Sequence, residues 1–213
     1  MAEVQPSLRE QFDSPAQQRE ASRLGIWAFL ATEVMFFGGL FVGYIVYRHS
    51  FPHAFAAASR HTNLLYGTLN TAILLTSSLT MALAVHAGEH GARKQIVKNL
   101  LLTILLAAAF LVVKGFEYSE DIHEHLVPGP SFFAGGDPRQ ELFFYFYWAM
   151  TGLHALHVII GIGILSTIAS LAARGRYNAA YYTPLEVAGL YWHFVDIVWI
   201  YLFPLLYLIG RHL

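Results

Sequence analysis

Apolar residues run along this chain in long blocks, and polar residues cluster between them. A helix rises about 1.5 Å per residue, so crossing about 30 Å of hydrocarbon takes roughly 20 apolar residues. Five stretches reach that length: about Leu24 to Tyr47, Leu64 to Val85, Ile96 to Phe116, Phe146 to Ala172 and Val187 to Ile209. The third is the weakest. Its unbroken apolar core is Leu100 to Val113, and Lys98 and Lys114 are expected to snorkel to the two interfaces. The predicted fold is all-α: a polytopic membrane bundle of five transmembrane helices over residues 24–213, preceded by a polar segment, residues 1–23.

Basic residues orient the bundle. Arg9, Arg19 and Arg23 precede the first span, Arg93, Lys94 and Lys98 lie around the second loop, and Arg174 and Arg176 lie in the fourth. The other side carries Arg48, Arg60, Lys114, Arg139 and Arg211. The excess predicts a cytoplasmic N-terminus and an outside C-terminus. Ser14-Pro15-Ala16-Gln17 fits a capping box and is expected to start a short surface helix ahead of the first span. The aromatic run Phe143 to Trp148 suits the outer interface, and Tyr177, Tyr181 and Tyr182 suit the inner one. The longest connection, about Glu117 to Glu141, is acidic and rich in Pro and Gly, and is expected to lie outside. Within it, Glu120 to His125 reads as a solvated acidic stretch. The N-terminus lacks the short apolar core of a signal peptide, and there is no internal repeat or second domain.

Composition agrees. Hydrophobic residues make up 56% and charged residues 13%, against roughly 25% charged in soluble domains. Mean hydropathy is +0.47. A net charge of −1 gives no basis for a nucleic-acid partner. The absence of cysteine excludes disulfides, iron–sulfur clusters, thiolate metal sites and c-type haem attachment, while 11 histidines keep imidazole ligation open.

Chemistry is then sought among ionisable groups inside the spans, which are costly there and face a protein interior or a functional path. These are Glu33 in the first span, Asn70 with a run of Ser and Thr in the second, His154 and His157 in the fourth, and His193 and Asp196 in the fifth. Depth puts Glu33, His157 and His193 within about one or two helical turns of each other. Helical spacing gathers Glu186, Gly189, His193 and Asp196 on one face, and His154, His157 and Gly161 on another. The bland reading is interhelical hydrogen bonding. A redox-metal role lacks facing histidine pairs and a dense carboxylate set. Glu33, a lone carboxyl in hydrocarbon, keeps a proton-related or regulatory role open. Gly39 and Gly43 read as a small-xxx-small packing pair, and Pro204 as a kink.

These segments also carry a resemblance. Thr32-Glu33-Val34-Met35-Phe36-Phe37, Leu69-Asn70-Thr71-Ala72, Lys114-Gly115-Phe116-Glu117-Tyr118, His125-Leu126-Val127-Pro128-Gly129, Gly152-Leu153-His154-Ala155-Leu156-His157-Val158 and Tyr191-Trp192-His193-Phe194-Val195-Asp196 follow in order. Together they resemble subunit III of the haem–copper cytochrome oxidases, over nearly everything after the first twenty residues. Where longer members have seven spans, this chain looks like the five-span form, which favours a bacterial plasma membrane.

The resemblance implies a non-catalytic subunit with no catalytic residue, metal or cofactor of its own. Haem and copper would reside in partner subunit I, with subunit II and further respiratory-complex subunits alongside. It implies a cytochrome c-oxidising, proton-pumping complex whose sustained turnover and proton uptake this subunit supports. Glu33 matches the family glutamate that reacts with carbodiimide. Phospholipid is expected in a cleft between the first two spans and the last three. Rival readings are a quinol oxidase subunit III, the related subunit accompanying a nitric oxide reductase, a haem-b redox protein and a proton-coupled transporter. The missing inverted repeat argues against the last.

Overall fold

The computed structural model describes residues 10–130, 132, 137–179 and 181–211. Residues 1–9 of the polar segment, Arg9 among them, lie outside it, as do 131 and 133–136 of the long connection and 212–213 at the C-terminus.

Among the described residues six α-helices form: α1 (Pro15–Ser50), α2 (Pro52–Ser59), α3 (Leu64–Glu89), α4 (Arg93–His123), α5 (Pro138–Ala173) and α6 (Thr183–Phe203). α6 continues through a π turn over Pro204–Leu208 and a 3₁₀ turn over Ile209–Arg211. Among the described residues, five helices are long and apolar enough to span a membrane, and they contain the five predicted stretches or nearly so.

Caps explain where several begin. Ser14 Oγ accepts from the Gln17 N–H at 3.2 Å with Pro15 in the first turn. The expected short surface helix does not exist as a separate element. Nothing between Ala16 and Tyr47 breaks the helix, so the cap opens α1 directly, 36 residues long. Asn63 caps α3 through the Leu65 N–H, and Asp137 caps α5 through the Arg139 N–H. α5 therefore starts eight residues before its apolar block. Pro204 removes a donor and crowds the carbonyl four residues back, and the wider π turn accommodates it.

α3 packs along α4 and α6, α4 also packs on α5, and α5 on α6 and α2. α1 packs on α5 and α6 and makes no comparable contact with α3. The expected division of the first two spans from the last three is therefore corrected: the second span belongs to the main bundle and the first lies on its flank. Only Leu30, Phe37 and Tyr44 of α1 are buried, seven residues apart, a single seam. Polar contacts mark its length. Arg23 donates to Glu186 Oε1 at 2.9 Å, Glu33 faces His157, and Tyr44 OH donates to the Leu205 carbonyl at 2.6 Å.

Close helix approach falls elsewhere than predicted. A Cβ on Gly39 would meet nothing within 4 Å, and one on Gly43 only the Phe146 ring. At Gly161 it would lie 2.7 Å from Trp192 Cζ3, and at Gly189 2.9 Å from Val85 Cγ2. The small residues that matter let α5 meet α6 and α6 meet α3.

Candidate functional site

α1, α5 and α6 enclose an apolar groove of about 550 Å³, walled by Ile26, Phe29, Ile160, Ile164 and Val187, with Glu33 and His157 also lining it. A more polar groove of about 430 Å³ adjoins it through the shared Pro184 and Val187, and carries Gln18, Arg19 and Ser22.

The geometry of the Glu33–His157 pair constrains its proton. His157 Nδ1 lies 2.8 Å from the Leu153 carbonyl, an acceptor only, so Nδ1 bears the hydrogen. Nε2 faces Glu33 Oε2 at 3.2 Å. A bare Nε2 lone pair and a carboxylate would repel, so a proton lies between them. It makes either a carboxylic acid donating to a neutral imidazole or an imidazolium donating to a carboxylate. Both states have no net charge, which suits side chains only 18% and 13% exposed in an apolar groove. Phe37 packs edge-on to the imidazole at 5.3 Å, and Tyr191 OH donates to the His157 carbonyl at 3.0 Å.

The other sequence-predicted residues do not join this pair. His193 Nδ1 meets Ser78 Oγ of α3 at 2.8 Å. His154 is wholly buried between the rings of Phe110 and Trp199, at 5.5 and 5.2 Å, and neither of its nitrogens has a hydrogen-bond partner. Asn70 is likewise buried with both polar atoms unpaired, and the buried Asp196 carboxyl lies beside Ser78, the hydroxyl that His193 meets. The Ser and Thr of α3 instead receive the indoles of α6: Trp192 Nε1 donates to Ser77 and Trp199 Nε1 to Thr71, each at 3.1 Å.

Sequence reasoning missed a third group. Lys114 does not snorkel; it is 2% exposed. Its Nζ donates to Glu117 Oε2 at 3.0 Å, Tyr147 OH at 2.9 Å and Tyr207 OH at 2.8 Å, which uses all three N–H bonds. Tyr207 OH donates to Glu117 Oε1 at 2.7 Å, and Tyr147 OH lies 3.0 Å from Glu117 Oε1 and 2.9 Å from Asp121 Oδ2. Asp121 is buried on α4 and not in a solvated loop, while Glu120 and Glu124 beside it stay exposed. The signal was available. Ile96, Leu100, Thr103, Ala107, Phe110, Lys114, Glu117 and Asp121 alternate steps of four and three, one inward stripe.

Among the described residues, one set of three His, Asp or Glu side chains converges closely enough to hold a metal: His86, Glu89 and His90, exposed at the end of α3. None of the predicted site residues belongs to it.

The family model for cytochrome c oxidase subunit III matches residues 13–211. The chain is 33% identical to a protein named cytochrome c oxidase subunit 3 from Thermostichus vulcanus, over 88% of this chain and 87% of that one. It is 29% identical to a probable quinol oxidase subunit 3 of Staphylococcus haemolyticus, over 93% and 94%. It is 35% identical to the cytochrome bo(3) ubiquinol oxidase subunit 3 of Pseudomonas aeruginosa, over 87% and 84%.

Proposed function

We propose a function from one premise: this chain belongs to the cytochrome c oxidase subunit III family and is a multi-pass membrane protein. It acts as the non-catalytic subunit III of a bacterial respiratory terminal oxidase that passes electrons from cytochrome c to oxygen and pumps protons. Subunit I holds the haem and copper, and subunit II stands beside it. This chain stabilises subunit I and supports its proton uptake from the cytoplasmic side, where its own N-terminus lies.

The observation that carries this reading is the match across residues 13–211, nearly the whole bundle. The Glu33–His157 pair supports it. A proton shared between two groups moves from one to the other with no net charge in either form, and a pair that hands its proton on carries one negative charge until it takes up another. A phospholipid tail fits the apolar groove, with its headgroup beside Arg19 and Ser22.

A second reading, subunit III of a quinol oxidase, is favoured by the two quinol oxidase relatives. Purification in mild detergent tests both. A co-purifying haem–copper subunit is expected, with turnover on ferrocytochrome c. Turnover on quinol alone selects the second reading. Recovery of the chain with no haem protein in any detergent that keeps the membrane complexes intact rejects both.

A further inference from the structure

We propose that His86, Glu89 and His90 form a binding site for a divalent transition-metal ion of the Zn²⁺ class. His86 and His90 stand four residues apart on one helical face, with Glu89 beside them. Ligand atoms of the three lie within 4.8 Å of one another. His86 Nδ1 is 3.5 Å from Glu89 Oε2, and the two imidazole rings are 4.5 Å apart. A tetrahedral ion with bonds of about 2.0–2.2 Å holds its ligand atoms roughly 3.5 Å apart. All three side chains are exposed, so rotamer changes close that difference without moving the backbone.

Two independent features favour an ion here. His90 Nδ1 lies 3.0 Å from the His86 carbonyl. The hydrogen therefore sits on Nδ1, and the Nε2 lone pair is left free. A hydrogen bond from the non-ligating nitrogen to a carbonyl is the arrangement that fixes tautomer and orientation in metal-bound histidines. The triad also occupies the C-terminal end of a 26-residue helix, with Glu89 its last residue and His90 its cap. The C-terminal end of a helix carries partial negative charge, which favours a cation. Arg93, the nearest basic residue in sequence, is turned to the Ala173 carbonyl of α5. Two imidazoles and one carboxylate select Zn²⁺, Ni²⁺ or Cu²⁺ over Mg²⁺ or Ca²⁺. Water completes the tetrahedron.

Equilibrium dialysis with radioactive Zn²⁺ tests this, on the full chain with its co-purifying partners and without a polyhistidine tag. The wild type is expected to bind one equivalent more than His86→Ala/His90→Ala, and excess Mg²⁺ is expected not to displace it. Equal stoichiometry in the two proteins overturns the site, and displacement by Mg²⁺ overturns the assigned metal class. Matching size-exclusion profiles establish that the variant is folded. Should the double variant fail that control, Glu89→Gln decides: weakened Zn²⁺ binding supports the site, and unchanged binding rejects it.

Discussion

Lys114→Met isolates the contribution of the buried ionic cluster. Methionine keeps the length of the aliphatic stem and removes the ammonium with its three hydrogen bonds. Glu117 is left with its tyrosine donors but without its cation, and Asp121 stays nearby, linked through Tyr147. Removing one partner of a buried pair costs about 3–5 kcal/mol. The two tyrosine hydroxyls still satisfy Glu117 Oε1, which favours the lower half of that range. About 3 kcal/mol in a chain of this size lowers Tm by on the order of 10 °C. Lys114→Met/Glu117→Gln removes both charges and should recover most of the loss, because an uncompensated buried charge is the main penalty. Thermal unfolding in mild detergent, followed by size-exclusion chromatography, measures both variants. A single variant within about 2 °C of wild type would refute the reasoning, since that is under 1 kcal/mol. So would a double variant no more stable than the single.

Further outcomes follow from the packing and the polar contacts. Gly161→Ala places a methyl 2.7 Å from Trp192 and should destabilise by about 1–3 kcal/mol in the same melt, whereas Gly163→Ala, with nothing within 4 Å of its Cβ, should be neutral. Ser78→Ala strips His193 of its partner and should cost about 1–3 kcal/mol; His154→Leu removes an imidazole that has none and should leave Tm unchanged or raise it. Glu33→Ala should leave the haem absorbance of the purified complex intact and at most reduce stability or prolonged turnover, and loss of haem from an assembled complex would contradict it.

The five spans were legible because hydrocarbon imposes length and composition, and both are written in the residue blocks. Helix ends were less so. Asp137 and Pro138 start α5 well before its apolar block, since a cap needs one side chain and one N–H, not hydropathy. α2 was missed because eight residues with five buried lie too short for any span signal, and its burial depends on α5 and on the C-terminal turn far along the chain. Depth reasoning placed Glu33 and His157 at one level, but the azimuth of each helix decides partners. That is why His193 meets Ser78 while His154 faces two aromatic rings. Lys114 was misjudged by a rule about cations near span ends. The four–three stripe along α4 was the better guide, and it ran straight through the lysine.

The seam of α1 has a mechanical consequence. In lipid, apolar surface does not distinguish a neighbouring helix from acyl chains, so three buried side chains hold α1 against sliding only weakly. Arg23, Glu33 and Tyr44 lie about ten and eleven residues apart and each meets a partner on α5 or on α6 and its terminal turn. A slip of one residue along the axis, followed by the seam, turns the helix by about 100° and disengages all three at once. They act as the teeth of a key: together they admit one axial position and one rotation, and removing a single tooth widens the settings α1 can take without releasing it.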